Sequence, residues 1–287
     1  MSYSEHAIGF VCGDEQLLGI LSQPAKPASL GVVIIVGGPQ YRVGSHRQFV
    51  LLARALAAAG YAVLRFDYRG MGDSSGTPVD FLSADADIGA AINTLLAHAP
   101  AVKQVALWGL CDAAAAALLY CDGNPDSRVT ALCLLNPWVR SQASLARTQV
   151  KHYYTQRLLQ RAFWAKLLSG QVAIGAVAGL IRNLRLAFKG GGAGAAVQLP
   201  FQTRMARAWR GFGGSLLLIL SGEDYTAKEF LEYASADPAW SGALTQHKLS
   251  RHDLADADHT FSGAQSCLAV EALTLAWLAE LETPTIS

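Results

Sequence analysis

Residues 104–120 read QVALWGLCDAAAAALLY. A short apolar run, Gln104 to Trp108, stops at Gly109-Leu110-Cys111-Asp112-Ala113 and gives way to an Ala/Leu stretch, so the segment predicts a buried strand, a tight turn and a helix. Cys111 then sits on the turn at a helix N-terminus, where the helix dipole favours thiolate over thiol. Taken alone, the same residue suits an inert buried cysteine equally well.

The pattern repeats outward from this segment. Gly31–Val36, Tyr61–Phe66, Thr130–Leu135 and Ser215–Leu220 are further apolar runs of strand length, each ending near Gly, Asn or Asp. Ala7–Val11 and Gln16–Leu21 predict an antiparallel edge hairpin, and Thr245–Ser250 a last strand. Helix-period stretches lie between them at His46–Ala59, Val79–Ala99, Asp112–Cys121 and Gly263–Leu281. Strands alternating with helices predict an α/β fold, a mostly parallel sheet flanked by helices with right-handed crossovers. Residues 139–214 break this rhythm, being rich in Arg, Ala, Leu and aromatics, with GGGAG at 190–194. They are expected to form a helical cap inserted into a core made of 1–138 and 215–287.

Ligands of an open parallel sheet bind beyond the carboxyl ends of its strands, so the residues after each run carry the functional reading. After SLLLIL comes Ser221-Gly222-Glu223-Asp224. After the last strand comes Asp258-His259-Thr260-Phe261-Ser262. Singly, Asp224 is a turn former or helix N-cap and His259 a loop histidine. In chain order, however, Cys111, Asp224 and His259 are nucleophile, acid and base, each at a strand end, which is the arrangement of a triad on a strand–turn–helix scaffold. Gly37-Gly38-Pro39-Gln40 follows the first parallel run, and there the Gly38 N–H, with the Asp112 N–H, is expected to form an oxyanion hole. Asp67-Tyr68-Arg69-Gly70-Met71-Gly72-Asp73 lacks a third glycine at dinucleotide-binding spacing and is taken as a structural turn with Arg69 bonded internally.

Composition narrows the classes. The chain has 287 residues, 52% hydrophobic and 16% charged, which excludes disordered and collagen-like polypeptides. Five scattered cysteines without a C-x-x-C pair suggest neither a disulfide framework nor a zinc ribbon. With no signal-like N-terminus and no run of 18 apolar residues, a cytoplasmic protein is expected. No metal or other cofactor is expected, and no nucleic-acid motif accompanies the basic residues. Charge is uneven: Ser127 to Gly222 holds 13 of the 23 basic residues and no acidic one. Such a field suits an anionic partner, which includes a phosphopantetheine or coenzyme A arm, an acyl carrier protein, a lipid-linked sugar phosphate or an anionic bilayer. Pairing with the acidic core accounts for it as well. Leu167 to Leu186, apolar with Arg182 and Arg185 near its end, fits a membrane-surface helix or a lid over an acyl chain.

GGP at 37–39, FDYRGMGDSSG at 66–76, GLCDA at 109–113 and DHTFS at 258–262 resemble the α/β-hydrolase superfamily along nearly the whole chain. More narrowly, GGPQYRVGSHRQF, FDYRGMGDSSG and GLCDAA resemble hydrolase 1 of the exosortase A-associated systems, found in bacteria with exopolysaccharide and protein-sorting genes. The resemblance implies hydrolysis of an ester or thioester through a covalent acyl-enzyme. Departures are Cys111 for the usual elbow serine, Ala113 for a glycine, Val36 for the histidine before the glycines, and Asp224 one residue closer to Gly222 than is common. Cysteine elbows are similar to those of dienelactone hydrolases, polyhydroxyalkanoate synthases and some carrier-bound thioesterases. Two alternatives stand beside hydrolysis: transfer of the acyl group to an alcohol or amine, and a binding protein that kept the fold without the chemistry.

Overall fold

A computed structural model of the protein describes residues 2–38, 40–140 and 199–283. All but Arg140 of these fall in one compact unit spanning Met1–Val139 and Leu199–Ser287. The strands are β1 (Tyr3–Cys12), β2 (Glu15–Pro24), β3 (Leu30–Ile35), β4 (Val63–Phe66), β5 (Gln104–Leu110), β6 (Val129–Leu135), β7 (Ser215–Ser221) and β8 (Leu249–Leu254). They form one sheet in the order β1-β2-β4-β3-β5-β6-β7-β8. β1 and β2 pair antiparallel, as do β2 and β4, while every other pairing is parallel.

The central strands are apolar on both faces because helices cover both faces. Every residue of β3 is buried, as is all of β5 after Gln104. The helices among the described residues are α1 (Gln48–Ala58), α2 (Asp85–His98), α3 (Asp112–Gly123), α4 (Phe201–Gly211), α5 (Tyr225–Ala236) and α6 (Ala264–Glu282). In α3 every residue from Ala113 to Tyr120 is buried, because the run of alanines lets the helix lie close against the sheet and its neighbours. α6 is long and apolar enough to cross a bilayer by length and composition alone, yet it buries Val270, Thr274, Trp277 and Leu278.

The edge hairpin runs longer than the sequence reading, over Tyr3–Cys12 and Glu15–Pro24, and three further differences bear on the architecture. The last strand is Leu249–Leu254 rather than Thr245–Ser250; between its two terminal leucines its residues are polar, and none is fully buried, as at a sheet edge, so it carries no apolar run. α2 starts at Asp85, six residues after Val79, because Asp80 closes a turn that accepts from Leu82 N–H and Ser83 N–H. The third difference concerns the cap. Residues 141–198 lie outside the described ones, but α4, read as part of the insertion, packs with the core. Trp209 is fully buried beside Phe230 and Trp240, its Nε1 donates to Ala243 O at 2.8 Å, and Arg204 and Arg207 pair with Asp122 of α3. Arg128 pairs with Asp126, so three of the thirteen basic residues neutralise core acids.

Candidate active site

β5 ends at Leu110 and α3 begins at Asp112, leaving Cys111 alone to turn the chain. It does so at φ 64° and ψ −122°, a conformation that side-chain-bearing residues rarely adopt, and it is held there by Cys111 N–H donating to Leu135 O at 2.8 Å. Its carbonyl accepts from Ala114 and Trp138 N–H groups, each at 3.1 Å. The close passage of α3 over β5 explains Gly109, since a Cβ there would drive into the Ala113 backbone. Cys111 is partly exposed, unlike Cys12 and Cys133.

His259 lies on the loop between β8 and α6, and its Nδ1 donates to Asp224 Oδ2 at 2.8 Å. The same carboxylate caps α5, accepting from Thr226 N–H at 3.0 Å and Ala227 N–H at 3.2 Å. Burial pushes the Asp224 carboxyl up, but the bond from His259 and these two amides outweigh it and leave it below the ordinary value. The His259 imidazole is pushed up to about 10, first by its hydrogen bond to Asp224 and next by the Cys111 sulfur, with burial opposing both. Three residues scattered over 149 positions therefore meet at one end of the sheet, and the positive ring is favoured between a carboxylate and a sulfur.

Two further residues hold this arrangement. Asn136, at φ 43° after β6, donates from Nδ2 to Ser221 Oγ at 2.8 Å and to His259 O at 3.0 Å, and its Oδ1 accepts from Ser221 N–H at 2.9 Å. Ser221 Oγ in turn donates to Asp258 O at 2.7 Å. Asn136 ties the histidine loop to the ends of β6 and β7. The only sign of it in the sequence is a buried-strand run, TALCLL, ending in a polar residue.

The structure also brings Gly38 and Asp112 together, but not as expected. The Gly38 N–H is not free: it donates to Asp112 Oδ2 at 2.8 Å. The carboxylate at the first turn of α3 folds back over Gly37, where a Cβ would collide with Asp112 Oδ1. The turn at 67–76 is structural, as read. Buried Asp67 accepts from Arg42 N–H at 2.7 Å, and Arg69 forks onto Asp87 with Nη2 at 2.8 Å. A cavity of about 880 Å³ beside Phe10, Asp85, His98 and Tyr120 touches none of the five candidate residues. Among the described residues no group of three His, Cys, Asp or Glu could hold a metal ion.

The sequence matches the family described as "Serine aminopeptidase, S33" over residues 28–178, more than half of the chain and including the Cys111 turn. The chain belongs to this family of α/β hydrolases. Solved structures agree on the fold. An esterase from Pyrococcus furiosus superposes with a TM-score of 0.63 at 14% identity, covering 97% of this chain and 93% of its own. A dienelactone hydrolase from Anabaena variabilis gives 0.60 at 17%, covering 98% and 99%. An alpha-beta serine hydrolase homologue from Coxiella burnetii gives 0.55 at 14%, covering 95% and 97%. No curated protein matches the sequence. In this member of the serine aminopeptidase family, a cysteine stands at the strand-to-helix turn.

Proposed function

We propose that this α/β hydrolase cleaves an ester or thioester through a covalent acyl-enzyme on Cys111, with His259 as proton carrier and Asp224 as the carboxylate that orients it. The observation that carries the reading is a partly exposed cysteine at positive φ on a helix N-terminus, at the same end of the sheet as a histidine whose Nδ1 donates to Asp224 at 2.8 Å.

The thiol proton rests on His259, whose charged form the site favours, so the sulfur is ready to attack. The sulfur attacks the acyl carbon, the C–S bond forms, and the carbonyl electrons move to oxygen. When the tetrahedral species collapses, the bond to the leaving group breaks and His259 returns the proton to the departing alkoxide or thiolate. A water, deprotonated by His259, then attacks the acyl carbon, and the acid leaves as the Cys111 thiol is restored. Amides fit this chemistry less well, because an amine must be protonated before it leaves in preference to the sulfur, so ester and thioester substrates are favoured over peptides.

The substrate class follows from charge. Arg140 to Lys189 includes nine basic residues and no acidic one, which supports an acyl group on an anionic carrier, coenzyme A-like arm or lipid-linked phosphate, met in the cytoplasm or at an anionic membrane surface. The resemblance to hydrolase 1 of the exosortase A-associated systems gives this reading its setting. The deciding experiment is a panel of acyl thioesters and aryl esters, with intact-protein mass spectrometry. The expected result is an acyl adduct on Cys111 that disappears in Cys111→Ala, with free acid as product. Turnover unchanged in Cys111→Ala would overturn the proposal, and acyl transfer to an added alcohol or amine would replace hydrolysis by transfer. Flotation with anionic and neutral liposomes tests the surface partner; equal binding to both removes it.

A further inference from the structure

Asp112 places a carboxylate where an acyl oxyanion would be expected to sit. The residue opens α3 immediately after Cys111, and its Oδ2 accepts the Gly38 N–H at 2.8 Å. Its own N–H and that of Ala113 also favour the charged carboxylate. Oδ1 is buried without a hydrogen-bond partner. An acid in a first helical turn gains from the dipole wherever its side chain points, so the dipole alone does not explain an inward carboxylate with one oxygen unsatisfied. The inward pose also requires glycine at 37, since any Cβ there would strike Oδ1. Other groups face it from neighbouring elements. His259 attracts it from the loop before α6, and buried Tyr68, whose hydroxyl lacks a partner, feels its charge from the turn after β4. Burial raises the Asp112 carboxyl above the ordinary value, partly offset by the three amides.

We propose that the Asp112 carboxylate is a built-in occupant of the oxyanion site, engaging Gly38 in place of substrate, so that acylation of Cys111 requires this side chain to withdraw. The inference rests on the acyl-enzyme reading above. Two anions do not share one hydrogen-bond donor set, so an incoming acyl oxygen must displace the carboxylate before negative charge can develop on it. Asp112 is thereby a specificity-determining residue. Substrates whose remote groups supply binding energy to displace it react, and small unspecific esters react poorly.

Two reactions of Cys111 separate the effect. Thioester acylation develops an oxyanion, whereas iodoacetamide alkylation does not. Both rates are measured on the full chain for the wild type, Asp112→Ala and Asp112→Asn. Asp112→Ala is expected to raise the acylation rate constant for a short acyl thioester about tenfold or more, the loss of one charge-assisted hydrogen bond being worth at least that factor. Asp112→Asn is expected to raise it less, because its side-chain oxygen still accepts from Gly38. Asp112 neighbours both Cys111 and His259, so each acylation rate is read relative to the alkylation rate of the same protein, which also reports an intact site. Acylation of the wild type with no gain in either variant would overturn this inference alone. Absence of acylation in all three proteins, with alkylation intact, would overturn the acyl-enzyme reading and this inference with it. If the alanine variant fails to fold, the asparagine variant decides by the same criterion.

Discussion

Asp224 serves His259 and helix α5 with one carboxylate: Oδ2 accepts the ring Nδ1–H at 2.8 Å while the same group accepts the Thr226 and Ala227 amides. The two roles read from the sequence as alternatives, helix cap and histidine partner, are both present. Anchoring by the helix fixes the carboxylate before the histidine meets it, which is what an orienting residue needs.

The two roles come apart in two substitutions. Asn caps helices about as well as Asp, so Asp224→Asn should keep the fold while the reaction rate falls by about 10⁴-fold, the scale seen when a triad carboxylate is neutralised. Asp224→Ala should lose activity similarly and also about 1 kcal/mol of stability with the lost cap. Thioester kinetics and urea unfolding of the two variants check this.

The His259 imidazole should titrate near 10 in the native protein, against 6.5 in the unfolded chain. A native value raised in this way favours folding fully below pH 6.5, and the contribution is lost as pH rises through 10. The wild type should therefore lose more of its melting temperature between pH 7 and 10 than His259→Gln does. Because the Cys111 sulfur is the second cause of the shift, Cys111→Ala should lower the imidazole value, read by NMR titration of the ring; an unchanged value would contradict the coupling.

Cysteine reactivity should rank by environment. Burial raises the Cys133 thiol far above its ordinary range and takes Cys121 to about 12. Cys111, half-exposed beside His259, should be alkylated first by iodoacetamide near neutral pH, and His259→Ala should slow it. Peptide mapping over time measures the order. Equal rates at Cys111 and Cys133 would remove the activated thiol.

Asn136 is fully buried, and its amide makes all three of its bonds to the ends of β7 and the histidine loop. Asn136→Ala leaves the Ser221 amide unsatisfied and puts alanine at φ 43°, so about 3 kcal/mol of stability should be lost. Activity measured well below the melting temperature should fall too, because the loop carrying His259 loses its tether. Calorimetry and kinetics on one preparation test both.

The apolar runs, their spacing, and the order of cysteine, aspartate and histidine were legible along the chain, because strands buried on both faces must be apolar and a parallel sheet puts its functional loops at one end. β8 was not, since an edge strand facing solvent carries no such run. α4 was read with the insertion because its arginines resemble those around them; only its contacts show Trp209 entering the core and Arg204 and Arg207 answering Asp122.

Local sequence thus determined the central strands, the turn at Cys111 and which three side chains come to one end of the sheet, because periodicity and chain order are properties of neighbours in sequence. The tether through Asn136 and the return of the Asp112 carboxylate onto Gly38 were decided only by tertiary structure. Residues 85 and 74 positions apart exchange hydrogen bonds there, and nothing in the sequence around a buried polar group says which distant partner will satisfy it.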